Sequence, residues 1–152
     1  MRRAGTAATV APLALLALLT GCGEDEPEGP PSVQVIVGPQ DVSVQPVQYC
    51  EDGEGQRYTS VQPPIIEVSP GAAIALSVPD AVAERGWSVQ VFDDQLDEQL
   101  GEVEVEAGET TFDDITSSDV VPAAFYLVVV EDKGTECGEF SGAWPIGFIR
   151  AE

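Results

Sequence analysis

Ile74, Leu76 and Val78 alternate with Ala75 and Ser77. This two-residue period constrains the fold more than any other feature of the chain. Successive side chains of a strand point to opposite faces, so such alternation gives one buried face and one wet one. The period recurs at Val33, Val35 and Val37, at Trp87, Val89 and Val91, and at Trp144, Ile146 and Phe148. Val42, Val44, Val47 and Tyr49 read as one further strand, with Pro46 marking an edge or bulge. Val103 and Val105 alternate with glutamates, which turns one face of that strand to water. Residues 125–130 are continuously apolar, as in a central strand covered on both faces.

Turn residues divide these runs. "EDGEG" at 51–55 reads as a turn, Pro70-Gly71 closes the short run 65–68, and "DDQLDEQLGE" at 93–102 reads as a hairpin loop. Only "PDAVAERG" at 79–86 suggests a helical turn, as a short crossover. Roughly seven to nine short strands at this spacing predict an antiparallel β-sandwich. A single all-β domain over residues 33–152 is expected, of immunoglobulin- or fibronectin-like layout. Trp87 on a middle strand and Tyr126 on a late one fit that layout, with the Tyr126 hydroxyl available to a backbone carbonyl as in a tyrosine corner.

Ahead of this domain the composition changes. Arg2 and Arg3 precede an apolar run from Val10 to Leu19. As a helix that run covers roughly 15 Å, about half of a 30 Å hydrocarbon core. It reads as the h-region of a signal peptide over residues 1–21. It ends at Leu19-Thr20-Gly21-Cys22, an aliphatic residue and two small ones before a cysteine. This resembles a bacterial lipobox. The Cys22 thiol can accept a diacylglyceryl group as a thioether, and cutting before the modified cysteine leaves an amine for a further chain. Each buried methylene contributes about 0.8 kcal/mol, and one chain alone anchors only marginally. The alternatives are an ordinary signal peptide with an accidental cysteine, or an uncleaved anchor. Residues 22–32, with their acidic, Pro-rich "EDEPEGPPS", then form a disordered or extended tether.

Cys50 and Cys137 remain as an even pair in an exported, oxidising setting, where a disulfide between them is expected. Closing a loop of that size stabilises by roughly 4–5 kcal/mol in the chain-entropy account. Two free thiols or a metal pair are the alternatives, and two cysteines without histidine make a poor zinc site. These cysteines do not occupy the strand pair that flanks the buried tryptophan of antibody domains.

The joint order of Tyr49-Cys50, "PPIIEVSPGAAIALSVPDAVAERGWSVQVF", "AFYLVVVED", Cys137 and "WPIGFIR" resembles a family of actinobacterial lipoproteins, domain-of-unknown-function family 2771. The resemblance covers about residues 33–150. It implies an exported, lipid-anchored all-β domain and carries over no catalytic residue.

The chain contains no histidine, which removes Ser-His-Asp and Cys-His constellations and histidine metal triads. Its one lysine, Lys133, lies beside Glu131 and Asp132 in an expected loop, a poor setting for a Schiff base. No glycine-rich phosphate loop is present. The net charge of −21 opposes nucleic-acid binding and any electrostatic contact with anionic lipid. An enzyme is therefore the weakest reading, and no cofactor is implied.

Acidic loops leave a second function open. Asp93, Asp94, Asp97 and Glu98 crowd one segment and Asp113, Asp114 and Asp119 another, so calcium binding is the alternative to weigh. The first group lacks the sixth-position glycine of an EF-hand, which is Glu98 here. Aspartates also suit turns by bonding their own backbone. Trp87 and Trp144 sit in phase with aliphatic neighbours and are assigned to the core. Tyr49 and Tyr58 flank the 51–55 turn and are expected at the surface. The leading expectation is a lipid-anchored extracytoplasmic binding or structural module. It would be held to the cell membrane and contact an envelope protein or cell-wall component. Oligomeric state is left open.

Overall fold

The structure is a computed structural model, and it describes residues 29–131, 137 and 142–152. The expected signal peptide, Cys22, the first part of the tether and Lys133 lie outside the described residues.

Eleven strands and one short helix make up the described chain. One sheet has four strands in the order β2-β1-β6-β9, from β1 (Val33–Val37), β2 (Gln40–Val44), β6 (Ala73–Ser77) and β9 (Thr111–Thr116). The other has the order β4-β3-β11-β10-β7-β8. Its strands are β3 (Gln48–Glu51), β4 (Glu54–Arg57), β7 (Trp87–Phe92), β8 (Gln99–Val105), β10 (Ala124–Glu131) and β11 (Ala143–Arg150). β5 (Ile65–Val68) joins β11 in parallel, so the second sheet is mixed rather than wholly antiparallel.

The period-2 residues face each other between the sheets. Val33, Val35, Ile74 and Leu76 from one sheet, and Trp87, Val89, Leu127, Val129, Trp144 and Ile146 from the other, are fully buried. Phe125 and Phe148, paired across β10 and β11, stack at 5.3 Å between centroids. α1 (Asp80–Arg85) carries the chain from β6 in one sheet to β7 in the other and buries Val82 and Ala83.

Four expectations change. The hairpin loop read over 93–102 ends at Glu98, because β8 begins at Gln99. The single strand read through residues 42–49 is two strands, β2 and β3, in different sheets. Pro46 is buried in the crossover between them. The "EDGEG" turn is narrower than its five residues. Asp52 and Gly53 form the turn at φ 51° and 78°, while Glu51 pairs with Glu54. Two positive φ values in a two-residue loop match the right-handed twist of a hairpin. The outward residues of β10, Tyr126, Val128 and Val130, are half-buried rather than covered.

Pro145 sits within β11 without disrupting it. Gly147 N–H, two residues on, donates to Pro64 O, and Ala143 O accepts from Val47 N–H. The odd-numbered residues of β11 thus turn their backbone groups away from β10. The donor that Pro145 lacks would face the gap between β3 and β5, where no partner strand needs it.

Candidate functional site

The disulfide joins Cys50 on β3 to Cys137, with 6.0 Å between their Cα atoms and 87 residues of separation. β3 otherwise meets β11 through one pair, Ala143 with Gln48. The bridge ties the β3–β4 hairpin to Cys137, between β10 and β11 in the chain. Beside it, Tyr49 is buried and packs edge-on to Trp144 at 5.9 Å, so it is not the surface aromatic expected. Its place after a proline crossover puts its ring inward. Tyr58 is half-buried.

Trp144 is fully buried, and its indole Nε1–H donates to Pro31 O at 2.8 Å. The expected tether therefore ends earlier than Ser32, since Pro31 is already held against the core. Trp87, also fully buried, donates Nε1–H to Glu109 O at 2.7 Å. Both indoles are core residues with their one polar atom satisfied. The Tyr126 ring lies over Gly147, where an added Cβ would come within 3.0 Å of it.

Glu131 was not singled out by the sequence. It ends β10 opposite Trp87, its side chain is fully buried, and Oε1 accepts from Arg85 Nη1 at 3.0 Å. Oε2 meets no donor among the described residues. Burial raises the pKa of this carboxyl, against the opposing pull of the Arg85 hydrogen bond and charge.

The acidic groups are structural in their visible contacts. Asp93 Oδ1 accepts from the backbone N–H of Asp97 at 2.8 Å and of Glu98 at 3.2 Å, closing the β7–β8 turn. Leu96 completes the turn at φ 60°. Asp94 lies in the same hairpin, at the rim of a small hollow with Tyr126 and Gly147. Asp113 and Asp114 are on β9 in the other sheet, not in a loop. Asp119 Oδ2 accepts from Thr116 N–H at 2.6 Å and Thr116 Oγ1 at 3.0 Å. Among the described residues no group of three or more His, Cys, Asp or Glu is placed to hold a metal ion.

A concavity opens where the two sheets end side by side. β8 is the last strand of one sheet and β9 the last of the other. A cleft of about 680 Å³ runs between them, walled by Val91, Leu100, Val103, Phe112, Ile115 and Val120. Glu102, Asp114 and Asp119 stand at its margin, with Val121 and Pro122 at one end. Two bulges shape it. Gly101 pairs with Val91 and Gln99 with Phe92, which leaves Leu100 as an extra residue on β8. Ile115 pairs with Ile74 and Phe112 with Leu76, which puts Asp113 and Asp114 into an irregular stretch between two inward-facing apolar residues. The three-residue spacing of Phe112 and Ile115 breaks the two-residue period, and that break was the available sequence signal.

The loop after β9 is tightly fastened. Arg150 Nη1 donates to Ser117 O at 2.6 Å and Val120 O at 2.7 Å, and Nη2 to Val121 O at 3.2 Å. Ser118 Oγ accepts from Gly71 N–H at 2.7 Å, and Ser117 Oγ donates to Ser69 O at 2.5 Å. Val121 is held 91% exposed at its tip. Asp119 is kept below its ordinary pKa by the Thr116 backbone N–H first, then the Thr116 hydroxyl. Glu102 is also held low, by the Ser88 hydroxyl first and then Gln90 and Gln99. Ser88 Oγ lacks hydrogen-bond geometry to any partner. The amide contacts of Gln90 at 3.4 Å and Gln99 at 3.3 Å are therefore the ones to credit.

This sandwich, with its own disulfide and a cleft between strand edges, defines an all-β class. The chain belongs to the family described as "Protein of unknown function (DUF2771)", which matches residues 25–140. No curated protein and no solved structure matches the chain.

Proposed function

We propose that this protein is an extracytoplasmic lipoprotein, anchored through Cys22, whose immunoglobulin-like domain serves as a binding or structural module of the cell envelope. The observation that carries the reading is Leu19-Thr20-Gly21-Cys22 at the end of an apolar run too short to span a bilayer. The disulfide supports it, because such bridges persist in oxidising compartments. No helix among the described residues is long and apolar enough to cross a membrane.

The strand order supports the immunoglobulin-like part. With β1, β6 and β9 taken as A, B and E, and β7, β8, β10 and β11 as C, C′, F and G, the sheets read A-B-E and G-F-C-C′. That order follows the immunoglobulin sheets A-B-E-D and G-F-C-C′ with Trp87 on C, but among the described strands β9 ends its sheet with no strand in the D position. β2, β3, β4 and β5 come between A and B as this chain's own addition.

Cys22→Ser tests the anchor: the protein leaves the membrane fraction or accumulates as an uncleaved precursor. Crosslinking in intact cells tests the module and recovers one defined neighbour. A variant with both unchanged fractionation and unchanged mature size, or capture of abundant proteins alone, contradicts the proposal.

A further inference from the structure

The cleft between β8 and β9 has three properties that together define a ligand class. Its walls come from both sheets and are apolar, with Val103 at 40% and Leu100 at 43% exposure. Removing such side chains from water is favourable in proportion to the apolar area covered, so a body that covers them binds favourably. Its volume of about 680 Å³ is that of a small-molecule site. Its margin carries Glu102, Asp114 and Asp119 and no lysine or arginine. Arg150, the nearest described cation on that side, commits its guanidinium to the carbonyls of Ser117, Val120 and Val121.

We propose that this cleft binds a small cationic amphiphile, its apolar body between the two sheets and its ammonium or guanidinium group against Glu102, Asp114 and Asp119. The assignment rests on the reading of the domain as a binding module and names its ligand class. Two other occupants fit less well. A second copy of the chain would bring a net charge of −21 against the same carboxylates. An added peptide strand needs a regular edge, and bulges interrupt both β8 and β9 at the cleft. The site is also built in advance of binding. The Arg150 and serine bonds fix the 117–121 loop, so little ordering accompanies binding. The hydrogen bonds that Asp119 and Glu102 accept hold both carboxyls below their ordinary pKa.

Calorimetry on the full chain carrying Cys22→Ser, with dodecylammonium, dodecyl maltoside and dodecanoate below their micelle concentrations, tests the proposal. Dodecylammonium is expected to bind at one site, the neutral probe more weakly and the anion not at all. Raising the ionic strength weakens the cation. The double variant Glu102→Gln/Asp114→Asn, on exposed positions that leave the fold intact, weakens it about tenfold or more. Val103→Phe fills the cleft and weakens both the cationic and the neutral probe. Equal binding of all three probes, no heat with dodecylammonium, or retention of full affinity in the double variant overturns the proposal. Binding of an extended peptide of alternating Lys and Val, in place of dodecylammonium, also overturns it, in favour of strand addition. None of these outcomes bears on acylation of Cys22, so failure here is separable from failure of the anchor.

Discussion

Arg85, at the end of α1, donates Nη1–H to Oε1 of Glu131, at the end of β10, across 3.0 Å. The two partners are unequal: the arginine side chain is 43% exposed and the glutamate fully buried. Breaking a fully buried pair costs about 3–5 kcal/mol, and solvent screening of the arginine reduces that. Arg85→Ala is expected to destabilise the domain by about 2 kcal/mol, read by urea denaturation.

The Glu131 carboxyl has its pKa raised above 4.5 by burial in the folded state. In the window just above 4.5 the folded state holds this proton more firmly than the unfolded chain does. The contribution is therefore present below the unfolded value and is lost as pH rises through the folded one. Glu131→Gln should flatten the fall in stability with rising pH above 4.5, while leaving Arg85 a hydrogen-bond acceptor. Melting curves across that range check it. A variant that keeps the wild-type slope contradicts it.

Cys50→Ala is expected to lower the melting temperature by at least several degrees, since closure of a long loop contributes about 4–5 kcal/mol in the chain-entropy account. Hydrogen exchange should accelerate first in the β3–β4 hairpin, which has one pair with β11 besides the bridge. An unchanged melting temperature means that the bridge does not form.

Gly142 is a packing position. A Cβ there would lie 2.5 Å from Trp144 Cη2 and 3.0 Å from Tyr49 Cδ2. Both rings are held in the core, so neither moves without disturbing its neighbours. Gly142→Ala is expected to cost about 1–3 kcal/mol as an overpacking substitution. Gly101→Ala, with nothing within 4 Å of its added Cβ, serves as the control.

Trp144→Phe keeps most of the packing and removes the bond to Pro31 O. A loss of about 1 kcal/mol beyond the packing change is expected, with faster proteolysis ahead of β1. Equal proteolysis of variant and wild type contradicts a docked Pro31.

Much of the core was legible because alternation reports burial directly. Val33, Val35, Ile74, Leu76, Val89, Ile146 and both tryptophans lie where their period puts them. The Cys50–Cys137 pairing was legible from the even count of cysteines left once Cys22 is set aside and from the exported setting that the sequence suggests. The route of the chain between sheets was not. Val44 and Tyr49 continue one apolar rhythm, yet the crossover at Pro46 sends them to different sheets, because periodicity carries no information about partners. Tyr49 was misjudged for the same reason: its neighbour Trp144 is distant in sequence. The cleft was hidden because it needs β8 and β9 side by side, and because acids in bulges look like acids in loops. Glu131 looked solvated beside Asp132 and Lys133, while its burial comes from the strands around it.

Intact-mass measurement of the protein extracted from its native membrane tests the account at its centre. The account predicts a chain beginning at Cys22, heavier than its sequence by a diacylglyceryl group or more, with two further hydrogens missing for the disulfide. A chain that begins elsewhere, or one whose Cys22 carries a free thiol, contradicts it.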